Sequence, residues 1–228
     1  MYKKISYKVR FPLGGKFDID PKIILLKNIY KEIKKCSCLN IEYKCYNCDF
    51  NDKCIYYYLS GHNFQEYPGI NVNGTFMGKT DFKRNDVFDV SFYAIGNCAK
   101  YFEFIKEYMS THDYINNVLF QKVVIKEEVI NSNEVYNGKI IYKSIVKDLD
   151  DINKSINYYN NFYKTNYLIP EFTLIDKPLE FNDYRDYIFN GRRIKVSGII
   201  CNANVCNYQQ ELLDIGVGSY AFLGGGKN

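Results

Sequence analysis

Apolar and polar positions alternate from the first residues of the chain. Ile5, Tyr7, Val9 and Phe11 are separated by Ser6, Lys8 and Arg10, the period-two pattern of a half-buried strand. Asp20 followed by Pro21 marks a helix start, a capping side chain before a residue whose missing N–H is harmless in the first turn. Ile23, Leu26, Tyr30 and Ile33 then recur at helical spacing and predict a helix ending near Lys35. Residues Cys36 to Cys54 hold no clean period and read as an inserted loop. Two more strands are predicted near Phe64 to Val72 and Val87 to Ile95, the second with Phe88, Val90, Phe92 and Ala94 on one side. Asn97 after Gly96 predicts the cap of a second helix with the face Cys98, Phe102, Ile105 and Met109. The apolar run from Val118 to Ile130 supplies a fourth strand. The order is β-α-β-β-α-β, the split ferredoxin-like arrangement.

The second half starts in the same way. Lys139 to Val146 reads as extended, and Asp148 or Asp150 starts a helix carrying Leu149, Ile152, Ile156, Tyr159 and Phe162. Between Asn166 and Asn190, Pro170 and Pro178 bracket a short strand and the remainder reads as loop. Arg193 to Ile200 alternates again, with Ile194 and Val196 on one face and Arg193 and Lys195 on the other. Asn207 is the expected cap of a short helix, YQQELLD, with Gln210 at the capping-box position. The fold class expected is therefore α+β, two tandem ferredoxin-like domains. The first spans 1–133 with a cysteine-rich insertion at 36–60, and the second spans 134–228 with a glycine-rich loop. The repetition lies in element order alone; no repeated sequence joins the halves.

Composition changes this picture little. The 228 residues, 46% of them apolar, suffice for two compact units with real cores. High Lys, Asn, Ile and Tyr usage with no Trp follows an AT-rich coding bias, so raw Lys and Tyr counts carry little functional weight. No window nears 18 consecutive apolar residues, which excludes a helical membrane span. The alternating N-terminus does not read as a secretory signal, and a cytoplasmic location is expected. Charge distribution says more: residues 1–35 hold ten Lys or Arg against three acids, although the whole chain carries only +4. Such a segment suits a polyanionic partner or forms a solvated basic face.

Near the end, GVGSYAFLGGG places Gly216, Gly218, Gly224 and Gly226 as G-x-G, five residues, then G-x-G. Glycine permits positive φ and close approach of another backbone, so such a loop can aim N–H groups at phosphate; the bland alternative is a frayed tail. With the short leucine-containing helix before it, the stretch from Gly198 through ELLDIGVGSYAFLGGG resembles the signature of the RAMP superfamily of CRISPR proteins, and most of all its repeat-processing endoribonucleases. The middle segment adds to the resemblance, with the cysteine cluster, EYPGINVN, and the strand from Asp86 to Ile95 followed by Gly96 and a helix. That resemblance implies a metal-independent enzyme, without a catalytic cofactor, that cuts precursor CRISPR RNA within its repeats. The RNA 2′-hydroxyl attacks the neighbouring phosphate, leaving a cyclic phosphate and a 5′-hydroxyl. The chemistry calls for a proton acceptor, a proton donor and positive charge at the phosphate.

Histidine suits the proton transfers, and the chain offers His62 and His112. The resemblance places a catalytic His or Tyr on or just after the first helix, which singles out His62 and Tyr30. Tyr30 also fits the helix core, and His62 equally suits a metal ligand or a surface position. The glycine loop lacks the Lys or Arg usual among its five central residues, Ser219 to Leu223. Arg192, Arg193 and Lys195, on the predicted strand beside the loop, are the replacement candidates for RNA binding; a solvated edge is the alternative. Cys36, Cys38, Cys45, Cys48 and Cys54 form C-x-C, six residues, C-x-x-C, five residues, C. Two thiolate pairs can share a tetrahedral zinc, so a structural zinc knuckle is expected, with an iron–sulfur cluster or unmetallated thiols as alternatives. Two other functions remain open: a non-catalytic RAMP subunit binding guide RNA beside other CRISPR effector subunits, and a zinc-binding protein-interaction adaptor.

Overall fold

The computed structural model describes residues 2–38, 45–131 and 134–227, and the side chains among them except at 46 and 183–186. The expected domain boundary at 133/134 and part of the cysteine-rich insertion, residues 39–44, fall outside the described residues. The first half is built on a four-stranded antiparallel sheet, β1 (Tyr2–Phe11), β2 (Ile70–Val72), β3 (Asp86–Ile95) and β4 (Gln121–Ile130), in the order β2-β3-β1-β4. Two central strands flanked by the outer two is the pairing that a β-α-β-β-α-β chain produces when each helix crosses one face. Ile5, Tyr7, Val9 and Phe11 are buried and pair in register with Phe92, Val90, Phe88 and Asp86. The alternation in the sequence thus locates the core face.

Helix α1 (Pro21–Ser37) begins as expected. The Asp20 carboxylate accepts from the Lys22 N–H at 2.9 Å and Pro21 occupies the first turn. Two departures follow. The segment expected as strand from Phe64 onward contains α2 (Ile55–Leu59) just before it, a left-handed turn at 61–64, and strand only at Ile70–Val72. Asn97 caps no helix: its N–H donates to the Tyr163 carbonyl at 2.8 Å, within a 3₁₀ turn, Gly96–Tyr101, that precedes α3 (Glu103–Thr111). The expected apolar face still holds, since Cys98, Phe102, Ile105 and Met109 are all buried.

In the second half, β5 (Val135–Ile141) leads to α4 (Leu149–Phe162), capped by Asp148, whose side chain accepts from the Asp151 N–H at 2.6 Å. Then come β6 (Glu171–Leu174), β7 (Leu179–Phe189), β8 (Arg192–Ile200), β9 (Asn202–Gln209) and the short α5 (Glu211–Ile215). A three-stranded sheet has the order β6-β9-β5, while β7 and β8 form a separate hairpin. Residues 179–189, expected as loop, are therefore strand. Asn207, expected as a helix cap, lies in β9 with φ 60° at a register shift, and the helix starts only at Glu211. The single four-stranded sheet expected for this half is not formed; three strands make one sheet and two make the hairpin.

One hydrophobic core runs through both halves. Tyr163 fastens them, donating to the Tyr67 carbonyl at 2.9 Å while its own carbonyl receives Asn97. Tyr67 in turn donates to Asp151 at 2.9 Å.

Candidate nucleic-acid interface

The glycine-rich segment is ordered by its own backbone. Gly216, Gly218, Gly224 and Gly226 have φ of 77°, 82°, 87° and 64°, the left-handed region that a side chain resists. At Gly226 a Cβ would stand 1.9 Å from the Val217 carbonyl oxygen, and at Gly224 it would stand 2.0 Å from that of Gly74. The segment folds back on itself and wedges against the loop after β2, and residues 220–227 are all buried. Its amides are engaged as well: Gly218 donates to the Ser155 hydroxyl at 2.9 Å and Ser219 to Asp151 at 2.6 Å. The expectation of a docked turn and that of glycines opening the backbone to RNA therefore separate. The turn is docked, and the space its glycines leave is filled by the protein itself, by backbone at Gly224 and Gly226, by the Asp151 side chain at Gly218 and largely by that of Lys227 at Gly216.

What the docked segment does is wall a cavity of about 360 Å³. Ser219, Tyr220 and Phe222 form one side, and Arg192, Arg193, Ile194 and Lys195 of β8 another. Tyr220 joins these walls, its hydroxyl receiving the Ser197 N–H at 3.3 Å and donating to the Ser197 carbonyl at 3.1 Å. Lys147 and Lys154, the latter paired with Asp150 at 2.6 Å, bring the lining cations to five, facing Glu66, Asp148 and Asp151. Two of those carboxylates are engaged within the protein: Asp148 caps α4, and Asp151, buried, accepts from Tyr67 and Ser219. The cavity thus presents a surplus of donors and positive charge, the chemistry that phosphate requires. Arg192 is half-buried, and its Nη1 donates to the Asn63 carbonyl at 3.4 Å. Partial burial lowers its guanidinium from the usual value, with Glu66 acting in the opposite sense.

His62 lies two residues before Phe64, where the cavity lining begins. It sits in an unusual turn in which Gly61, His62, Asn63 and Phe64 all have φ between 55° and 61°. Each non-glycine residue in this conformation costs about 1–2 kcal/mol. Surrounding bonds hold it: Asn63 N–H donates to the Ser60 hydroxyl at 2.9 Å, and Tyr56 donates to Asn63 Oδ1 at 2.6 Å. The imidazole stacks on Tyr57 at 4.7 Å between ring centres and meets the edge of Phe162 at 5.1 Å. It does not line the cavity itself.

Tyr30 leaves the candidate set. It is fully buried, its hydroxyl donating toward the Leu59 and Ile70 carbonyls at 2.9 and 3.0 Å and receiving the Ile70 N–H at 3.1 Å. Burial pushes its pKa well up, and no substrate reaches it. The zinc knuckle gains no support here, although Cys38, Cys48 and Cys54 lie near enough to Cys45 to act on its thiol. Cys36 is exposed while Cys45 is buried, its thiol pushed up by that burial, and Cys38, Cys48 and Cys54 are half-buried. Among the described residues, no three His, Cys, Asp or Glu side chains are arranged to hold a metal ion. Lys147, Lys154, Tyr67 and Asp151 were not singled out by sequence reasoning. The dipeptide Asn190–Gly191, with φ 47° and 83°, is the signal that would have placed the β7–β8 hairpin and the cations that follow its turn.

No family model and no curated protein matches the chain in sequence. Solved structures do match in shape. A RAMP protein described as binding different RNA substrates superposes with a TM-score of 0.51 at 13% identity, covering 99% of this chain and 98% of that one. The fold is therefore of the RAMP class. Within that class it is Cas6-like. A Cas6-related protein from Pyrococcus furiosus matches at 0.51 and 14% identity over 100% of this chain and 96% of its own. A Cas6 product complex matches at 0.53 and 8% identity over 99% and 98%. Among the described residues no helix is long and apolar enough to cross a membrane.

Proposed function

We propose that the chain binds CRISPR repeat RNA and cuts it by attack of a 2′-hydroxyl on the adjacent phosphate. The observation that carries this reading is the cavity in which Arg192, Arg193, Lys195, Lys147 and Lys154 converge against the glycine-rich segment. On this reading the cations hold the scissile phosphate and offset the charge that grows on it during attack. His62 moves the proton, a positioned side chain of the kind that contributes about 10²–10⁴-fold. The glycines act one step back, by fixing the wall that Ser219 and Tyr220 present. The rare backbone at 61–64 supports a functional turn, because strain of this kind persists where the surroundings over-determine it.

The second reading, a RAMP subunit that holds guide RNA without cutting, draws on His62 standing outside the cavity lining. Incubation with end-labelled repeat RNA in EDTA separates the two. A single cut leaving a cyclic-phosphate end supports the enzyme; salt-sensitive binding without a cut supports the subunit; absence of binding overturns both. A protein of either kind works where precursor RNA is found, in the cytoplasm.

A further inference from the structure

A second cavity, of about 300 Å³, is lined in part by Phe162, the ring that His62 also touches. Its lining includes three exposed lysines, Lys53, Lys100 and Lys164, against one exposed acid, Asp52, and three partly exposed rings, Tyr58, Tyr101 and Phe162. Lys100 Nζ lies 4.9 Å from the centre of the Tyr101 ring and 5.9 Å from that of Tyr58. The two cavities are joined by rings. From Tyr67 in the first, centre-to-centre steps run 5.7 Å to Tyr158, 4.9 Å to Phe162, 5.1 Å to Tyr58 and 6.2 Å to Tyr101 in the second. His62 abuts the middle of this series, 6.2 Å from Tyr158 and 5.1 Å from Phe162.

Lysines interleaved with half-exposed aromatic faces are the surface a single strand prefers, since phosphates seek the cations and every base has a face to stack. A helical duplex stacks its bases internally and has no use for protein rings. We propose that this second cavity is a docking station for single-stranded RNA, and that a strand crosses the ring series between it and the Arg192–Lys195 cavity, passing His62. The inference rests on the RNA-binding reading above and adds to it a path, a second phosphate-binding cluster and a preference for unpaired substrate. A strand held at two stations is fixed across the intervening residue, which places His62 against a phosphate that both clusters position.

The test uses fluorescence anisotropy with single-stranded RNA oligomers of about four and about twelve nucleotides, spanning the usual footprint of one binding fold. The intact protein is compared with a Lys53→Ala, Lys100→Ala, Lys164→Ala variant, whose exposed positions leave the fold in place, and with Tyr101→Leu. The expected result is a loss of about tenfold in affinity for the long oligomer in either variant, with the short oligomer unchanged. The lysine variant also lowers the slope of log affinity against log salt by about 2. If the intact protein binds the long oligomer and both variants bind it equally well, the second station is overturned and the cutting site stands. If the intact protein binds no RNA, both readings fall. Tighter binding of duplex than of single strand overturns the path alone.

Discussion

Two of the stretches that carry left-handed backbone solve the problem differently. The segment 216–226 places glycine at every such position; the turn at 61–64 begins with Gly61 but then sets His62, Asn63 and Phe64 in the same conformation. The glycine-built stretch is unstrained, buried, and bonded to Asp151, Ser155 and Ser197 through residues 218–220. The other is strained and keeps its imidazole half-exposed. Relaxed and rigid on one side, strained and accessible on the other, the pair divides scaffold from chemistry on the proposed reading.

The comparison breaks most sharply at Gly226. Gly226→Ala puts a Cβ into the Val217 carbonyl and is expected to cost about 3 kcal/mol or more, read as a collapse of the melting temperature or insoluble expression. A variant that melts like the parent removes the scaffold role. At the strained turn the opposite split is expected. His62→Ala should lower repeat cleavage by about 100-fold or more while RNA affinity changes less than about twofold, measured by single-turnover cleavage and anisotropy. Unchanged cleavage takes His62 out of the chemistry. Replacing Arg192, Arg193 and Lys195 together by alanine is expected to weaken RNA binding by about tenfold or more and to lower the salt slope by about 2 for a single strand.

A smaller effect comes from His62→Gly, which relaxes the turn. It should leave stability level or raise it by up to about 1 kcal/mol in chemical denaturation, though cleavage is lost. A separate effect tests the buried amine beside the glycine segment. Burial lowers the Lys227 pKa to about 7, with Lys22 reinforcing and Asp20 and Asp214 opposing the shift. The folded state then releases a proton near neutrality that the unfolded chain keeps until far higher pH. The unfolded state binds more protons in between, so stability must rise with pH across that window. Melting curves from pH 7 to about pH 9 should show the native protein gaining on Lys227→Met; parallel curves remove the effect.

How much could be read in advance divides along similar lines. The first strand, the Asp20 and Asp148 caps and the faces of three helices were legible, because each rests on local periodicity that tertiary contacts reinforce. The β7 strand was not. Its apolar residues Leu179 and Ile188 are 70% and 57% exposed, so hydrophobicity in its sequence does not mark its covered side. Asn97 and Asn207 misled for one physical reason: asparagine tolerates both a cap and a left-handed or turn conformation, and only long-range partners decide between them. Within the candidate site, the cations of β8 were visible as a charged face. That Gly218 and Ser219 would donate to α4 was not visible, since Asp151 and Ser155 lie more than sixty residues away in the chain.

The tie between Lys227 and the carbonyl of Val72 spans 155 positions, and that between Tyr2 and Asp214 spans 212. Contacts so remote in sequence contribute only after the intervening chain has collapsed, and folds that depend on them acquire their final order slowly. The seam between the halves is therefore expected to close last during folding, leaving an intermediate in which both sheets exist and the cationic wall does not. On the proposed RNA-binding reading, RNA arriving at that stage finds an unfinished surface, so ligand capture becomes a report on completed folding.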